Sequence, residues 1–258
     1  MGLRDVSSVE KVIEELSAQN YLADRGLATA VFLSLRQNRP LLLDGEAGVG
    51  KTELAKSLSN WADGDLIRLQ CYEGIDSNQA VYEWDYARQL LHLRTAEASG
   101  RTEDVSTDVL EGELYDERFL IRRPLLQALS VKNDPPPVLL IDEIDRADDE
   151  FEAFLLEILS EYSITIPELG TYRSEVKPIV VITSNRTRDL HDALKRRCFY
   201  HWVEHPDVER EIEIIRIRAP KVSLLLAEEV SKAAAFLRGM DLYKQQGVAE
   251  TIDWAEEL

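Results

Sequence analysis

The stretch of sequence that decides the fold is GEAGVGKT, at residues 45–52. It fits the spacing G-x-x-x-x-G-K-[ST] at every fixed position, and it follows the short apolar run 40–43. Glycines let backbone N–H groups wrap closely around an anion, and a helix that starts near Gly50 points its positive end at that anion. We therefore expect a loop that binds the β and γ phosphates of a nucleotide. Its binding residues are Gly45, Glu46, Ala47, Gly48, Val49, Gly50, Lys51, Thr52 and Glu53.

Apolar runs that alternate with helical patterns extend outward from this loop. Such alternation predicts an α/β domain in which helices flank a parallel sheet. After Pro206 the pattern is helical only. We expect strands at 40–43, 66–70, 138–141, 179–183 and 199–203, and helices at 51–61, 119–130, 149–161 and about 190–196. We expect the α/β domain to span 1–205, with an insertion without clear strands at about 74–118 and a hairpin at about 163–174. We expect a small helical lid domain, short for a complete one, at 206–258.

A second chemical feature is the acidic pair that ends the strand at 138–141. A carboxylate at the carboxyl end of a parallel strand lies at the edge of the sheet where ligands bind. Asp142 and Thr52 are the expected Mg²⁺ ligands, Asp142 through water, and Lys51 the expected cation for the β and γ phosphates. Glu143 is the expected base that deprotonates the attacking water. The alternative reading, that the pair only begins an acidic turn, loses weight beside a phosphate loop.

Two further residue groups follow in an informative order. Asn185 comes directly after the strand at 179–183, where its amide would position the attacking water; elsewhere, Asn after a strand usually marks a turn. The paired arginines 196 and 197 precede the last strand. Such pairs are usually surface residues, and the competing reading is an arginine finger given to a neighbouring subunit.

The amino-acid composition disfavours some classes of function. The 258 residues hold 30 Lys plus Arg and 48 Asp plus Glu, a net charge of −18. Binding to phosphate backbones or anionic membranes needs Lys and Arg to replace counterions, so both are disfavoured. Two cysteines form no disulfide framework, and no apolar run reaches the ~20 residues of a membrane-spanning helix. We expect a cytoplasmic protein with no nucleic-acid partner and no membrane insertion.

The four elements, taken in this order, resemble the Walker A, Walker B, sensor 1 and arginine-finger motifs of the AAA+ ATPases, which are P-loop NTPases. An AAA+ finger usually lies one or two positions before an aromatic residue, which favours Arg197 over Arg196. The chain also resembles the MoxR branch of that superfamily, and within it the CoxD-like subgroup. The finer resemblance rests on RPLLL at 39–43, YEGID at 72–76, YEWDY at 82–86, PPP at 135–137, IPELGT at 166–171 and VAETIDW at 248–254.

This resemblance implies an ATP-hydrolysing ring, usually hexameric, that remodels other proteins like a chaperone. It implies a von Willebrand factor A domain protein as a partner. It further implies a metalloenzyme client, since CoxD-like proteins are associated with maturing the metal centre of carbon monoxide dehydrogenase. One departure is that residues 247–250 hold no arginine where a sensor 2 arginine is expected.

Three functional hypotheses follow. The leading one is an ATP-hydrolysing remodelling machine with Glu143, Asn185, Arg197 and Lys51 as its catalytic residues. The second is a nucleic-acid motor or loader of the same superfamily, which the charge disfavours. The third is a nucleotide-dependent binding module with little turnover. Two local readings stay open as well: Gln70 communicating with the catalytic Glu143, and the aromatic residues 82–86 either packing on the core or gripping a substrate.

Overall fold

A computed structural model describes residue 3 and residues 6–98, 112–240 and 246–258 of the chain. Part of the insertion expected at 74–118 lies outside the described residues. Within them, eleven helices of at least five residues are numbered α1–α11 here. Their bounds are Val9–Ala18, Arg25–Gln37, Lys51–Ala62, Ser77–Val81, Tyr86–Ala98, Pro124–Leu129, Asp149–Glu161, Asp192–Arg197, Val208–Arg218, Leu224–Arg238 and Val248–Glu257.

The central feature is a five-stranded parallel sheet in the spatial order Leu66–Gln70 (β2), Val138–Asp142 (β5), Ile179–Ser184 (β8), Leu41–Asp44 (β1) and Phe199–Trp202 (β9). Its parallel connections cross over through intervening helices. Two two-stranded antiparallel ribbons, β3-β4 and β6-β7, lie outside it. The strands β1–β9 are Leu41–Asp44, Leu66–Gln70, Tyr82–Trp84, Leu120–Arg122, Val138–Asp142, Ser163–Ile166, Gly170–Arg173, Ile179–Ser184 and Phe199–Trp202.

The three central strands are apolar along their length because both of their faces are covered. Every residue of β1, β5 and β8 is buried. Alternate side chains enter two different apolar clusters, with Leu42 and Leu139 in one and Leu41 and Leu140 in the other. The first cluster packs α6 and α7 against the sheet, and the second packs α1, α2 and α3. The expected fold class, a parallel sheet flanked by helices and followed by a helical region, is confirmed.

The helical region after residue 206 has an apolar cluster of its own. Ile215, Ala219, Ala227, Val230 and Ala255 join α9, α10 and α11. An ion pair adds to it, since Arg238 donates to both carboxylate oxygens of the fully buried Glu211. We call α9–α11 the lid. Its boundary with the α/β domain at about residue 205 stays a prediction.

The insertion differs from its expected form. The sequence reading gave it no clear strand, whereas Tyr82–Trp84 pairs in antiparallel fashion with Leu120–Arg122. The helix expected at 119–130 accordingly begins only at Pro124, because a residue before proline favours extended backbone and proline suits the first helical turn. Trp84 is buried against Tyr82 and Tyr115, which favours the packing reading for that residue.

Candidate functional site

The phosphate loop connects the carboxyl end of β1 to the first turn of α3. Gly48 and Gly50 have φ angles of 79° and 94°, which L side chains rarely adopt. A Cβ on Gly48 would lie 2.7 Å from Cα of Gly247, so only glycine fits there. No side chain caps the start of α3, which leaves its first N–H groups available to an anion. The N–H of Val248 donates to Gly48 O at 2.9 Å, so the lid holds the loop directly.

Lys51 is buried beneath this loop. Its Nζ donates to Gly45 O and to Glu46 O, both at 2.6 Å. Burial lowers the pKa of Lys51 from 10.5 to about 8, against the opposing effect of Asp44 and nearby carboxylates. A cation that is desolvated in this way interacts strongly with any phosphate that enters the loop.

Asp142 ends β5 beside the first turn of α3. Its Oδ1 lies 3.2 Å from the hydroxyl of Thr52 and accepts a hydrogen bond from Thr183 at 2.6 Å. Its Oδ2 accepts two hydrogen bonds from Arg68. A hydroxyl and a carboxylate this close are hard oxygen ligands of the kind that Mg²⁺ takes. The residues present therefore fit a magnesium ion held by Thr52 and Asp142.

Glu143 stands in a strained conformation next to Asp142. Its φ of 57° is left-handed, which costs about 1–3 kcal/mol for a non-glycine residue. The Thr183 hydroxyl accepts the Glu143 N–H at 2.9 Å and thereby fixes this backbone. The carboxylate accepts hydrogen bonds from Nε2 of Gln70 at 3.1 Å and from Nδ2 of Asn185 at 3.2 Å. It also forms an ion pair with Nε of Arg146 at 2.8 Å. Strain that several contacts enforce is typical of a functional position.

Asn185 is positioned by a buried residue that the sequence reading missed. Asp145 accepts the N–H of Asn185 at 3.0 Å, and the N–H and hydroxyl of Thr187 at 2.9 and 2.7 Å. Burial raises the pKa of Asp145, but these hydrogen bonds outweigh it and bring that pKa below its ordinary value. Asp145 and the fully buried Glu152 stand in the acidic run 142–152, and neither side chain is exposed to solvent. The run of carboxylates itself gave no signal as to which of them point inward.

Arg197 is the one predicted catalytic residue that the structure does not bring to the others. It ends α8 just before β9, whose first residue, Phe199, pairs with Leu41 at the start of β1. The phosphate loop follows the last residue of β1, so Arg197 lies at the opposite edge of the sheet. Its guanidinium donates to Leu156 O at 2.8 Å and to the Ser160 hydroxyl.

A cavity of about 360 Å³ extends from the phosphate loop to the lid. It brings together the loop residues 47–53 with Asp142, Glu143 and Asn185. Away from these polar groups its wall becomes apolar, which suits a purine base. The apolar wall is formed by Tyr21, Leu22, Ile214, Val248 and Ile252.

Arg218 reaches this cavity from the lid. It ends α9, lines the cavity and donates to Glu53 of α3. Burial raises the pKa of Glu53, but the hydrogen bonds from Arg218 and Lys56 outweigh it and bring that pKa below its ordinary value. The sequence analysis expected a lid arginine at 247–250, where there is none, and did not identify Arg218. A basic residue in the last turn of a helix is too common to have singled it out.

A family model described as the AAA domain of the dynein-related subfamily matches residues 40–198. The chain belongs to that family. The matched range contains the phosphate loop, Asp142, Glu143, Asn185 and Arg197. Members of this superfamily share the P-loop and bind nucleotides through it, so this AAA domain carries a nucleotide-binding loop.

One solved structure that is similar comes from Cytophaga hutchinsonii ATCC 33406, a protein described as a putative ATPase. The two share 17% sequence identity at a TM-score of 0.55, over 89% of this chain and 63% of that one. At this identity the likeness shows the fold alone. The present chain spans less than two thirds of that protein's length. No curated protein matches the chain. Among the described residues, no helix combines the length and apolar character needed to cross a membrane.

Proposed function

We propose that this AAA domain hydrolyses ATP to ADP and phosphate. The observation that carries the proposal is the position of Glu143, whose carboxylate is held by Gln70 and Asn185 at the phosphate end of the cavity. A carboxylate held at this position by two amides can accept a proton from the attacking water. Asn185 would in addition orient that water.

The remaining residues bind and neutralise the phosphates. The N–H groups of the loop and of the first turn of α3 donate to phosphate oxygens, and Lys51 turns its ammonium from Gly45 O and Glu46 O towards them. Thr52 and Asp142 would hold Mg²⁺. When bound, that ion supplies positive charge at the phosphate oxygens. Tyr21 and Ile252 enclose the base.

We propose that Arg197 completes the site of a neighbouring copy in a ring. Its distance from its own cavity supports that role, and so does its exposure at the end of α8. An arginine adds charge to the transition state of phosphoryl transfer without binding the ground state strongly. AAA+ proteins commonly form such rings, and a hexamer is the count that the family resemblance implies.

The finer proposal is a MoxR-type remodelling ATPase, close to the CoxD-like subgroup. It acts with a von Willebrand factor A domain partner on a metalloenzyme client. Its support is the sequence resemblance, which covers the insertion and the hairpin before β8 as well as the nucleotide motifs. Co-purification of the ATP-bound protein with such a partner is the observation that would strengthen it most.

The decisive experiment is Glu143→Gln. We expect this variant to bind ATP as tightly as the wild type and to release phosphate at least about a hundredfold more slowly, because it keeps the size of the side chain and loses the base. Fluorescent-nucleotide binding and phosphate release measure the two quantities. Lys232→Gln, which alters an exposed lysine of α10 that does not line the cavity, is the control. Normal turnover in Glu143→Gln would contradict the assignment.

A further inference from the structure

Arg68 has no part in the mechanism above, yet its guanidinium contacts Asp142, which would hold the magnesium ion. It is an exposed residue of the edge strand β2. Its Nε and one terminal nitrogen donate to Oδ2 of Asp142, at 3.0 and 2.6 Å. The other oxygen of Asp142 is occupied by Thr183 and faces Thr52. Arg68 therefore fully engages one oxygen of the carboxylate that fits a magnesium ion.

The same guanidinium also contacts the residue that holds Glu143. Arg68 and Gln70 lie two positions apart on β2 and so point to the same face of the sheet. Arg68 donates to Oε1 of Gln70, and Nε2 of Gln70 donates to Glu143. When Arg68 leaves Asp142, the set of groups around Gln70 changes as well.

Asp142 needs a positive partner at all times. Its side chain is 4% exposed, and a carboxylate so deeply buried is costly unless it is paired. Arg68 supplies that partner through two charge-assisted hydrogen bonds. A divalent cation at the same carboxylate would stand a few ångströms from the guanidinium, and like charges at that distance repel each other. The two cations are therefore alternatives at Asp142.

We propose, resting on the proposed ATP hydrolysis, that Arg68 is a positioning residue which neutralises Asp142 until Mg²⁺ replaces it. The side chain is free to leave because half of its surface is exposed and no other carboxylate within the described residues holds it by an ion pair. Entry of Mg²⁺ therefore requires the ion pair between Arg68 and Asp142 to break. In return, a nucleotide that arrives without the metal meets a neutralised Asp142 rather than a bare negative charge.

Removal of Arg68 then has two effects of opposite sign. Without Mg²⁺, the charge of Asp142 repels the phosphates, and we expect Arg68→Ala to bind ADP about tenfold more weakly than the wild type. With ADP in place, Mg²⁺ no longer has to displace a competitor. We expect half-saturation at a Mg²⁺ concentration about tenfold lower than for the wild type. A substitution that only damaged the fold would weaken both the binding of ADP and the binding of Mg²⁺.

The experiment measures binding of a fluorescent ADP analogue in EDTA, and again during a Mg²⁺ titration at fixed nucleotide. Arg68→Gln serves beside Arg68→Ala, since it keeps a long polar side chain on the strand while removing the charge. The matched control is Arg25→Ala, which breaks the exposed ion pair with Glu10 at 3.1 Å and lies outside the cavity. We expect both variants of Arg68 to show the opposed shifts and the control to show neither.

Two results would overturn the inference. One is an unchanged Mg²⁺ requirement in both Arg68 variants, and the other is a loss of affinity in both conditions by a folded variant. Either result leaves the ATPase proposal standing, because the wild type would still bind nucleotide with Mg²⁺. A wild type that binds no nucleotide in either condition would instead remove both proposals.

Discussion

The two edges of the central sheet differ in how their charges are paired. At the carboxyl edge the buried Lys51 stands among carboxylates that arginines also pair with, whereas at the amino edge cationic side chains line a shared cleft whose described lining holds no carboxylate. The carboxylates at the carboxyl edge are Asp44, Asp142, Glu143 and Asp145, and the arginines that pair with the first three are Arg186, Arg68 and Arg146. The cationic residues at the amino edge are Arg39, Lys177, Arg196 and Arg197.

The difference follows from topology and suggests complementary roles. Parallel strands place every loop that follows a strand at one edge, so the groups for phosphate, metal and water collect there. The amino edge receives only the segments that lead into strands, and here they carry arginine. The carboxyl edge has the groups to hold a nucleotide, with Arg68, Arg146 and Arg186 paired to its carboxylates, and the amino edge has positive charge without a phosphate loop. In a ring, the basic amino edge of one copy would meet the nucleotide-binding edge of the next.

The sharpest way to break this comparison is Arg197→Ala. We expect phosphate release by the assembled protein to fall about a thousandfold, because a transition-state charge is lost. Nucleotide affinity should stay within about twofold, since Arg197 lies outside its own cavity. Phosphate release measured against protein concentration tests this, because only a residue given to a neighbour makes specific activity rise with assembly. If Arg196→Ala has the larger effect, the role moves to Arg196.

Lys51→Met tests the carboxyl edge. We expect nucleotide affinity to fall at least about a hundredfold, through lost charge-assisted hydrogen bonds. The variant should nevertheless be more stable below pH 8, by at most about 3 kcal/mol, because a buried ammonium with a pKa of about 8 instead of 10.5 is costly. The unfolded wild type binds more protons between pH 8 and 10.5, so wild-type stability rises with pH over that window. Urea unfolding across this range checks the sign, and the variant should lack the rise.

Asn185→Ala sharpens the assignment of groups at the same edge. One of the two amides that hold the Glu143 carboxylate is lost, and we expect turnover to fall about tenfold while nucleotide affinity changes little. The matched control is Thr187→Ala, which removes the hydroxyl's hydrogen bonds to Asp145 and leaves Glu143 untouched, while Asn185→Ala keeps the backbone N–H bond to Asp145. Equal losses in the two variants would mean that any change in the segment after β8 lowers turnover, and that the contact of Asn185 with Glu143 has no particular role.

Arg39→Ala tests how the basic edge is built. Arg39 donates to Arg196 O and Arg197 O at 2.7 and 3.1 Å and lies over the Phe199 ring. It thereby satisfies carbonyl groups at the end of α8. We expect a loss of about 1 kcal/mol in the free energy of unfolding, measured by urea titration. Unchanged stability would show that the arginine pair is held without it.

The parts of the fold that sequence predicted are those written in contiguous residues. The phosphate loop is spelled within eight positions, and the buried strands show as unbroken apolar runs because both of their faces are covered. The short strands β3 and β4 escaped notice because they are three residues each and depend on pairing across the chain. Three residues carry no periodicity that separates a strand from a loop.

The candidate site divides in the same way. Sequence alone named Lys51, Thr52, Asp142, Glu143 and Asn185, because motif spacing and strand ends mark chemistry at a known edge of a parallel sheet. Only the tertiary structure decided that Arg68 engages Asp142, that Asp145 holds Asn185 and that Arg218 enters the cavity from the lid. These contacts join residues far apart in the chain, and a charged side chain looks the same in a sequence whether it meets water or a buried partner. Their partners were set by packing, which no local pattern encodes.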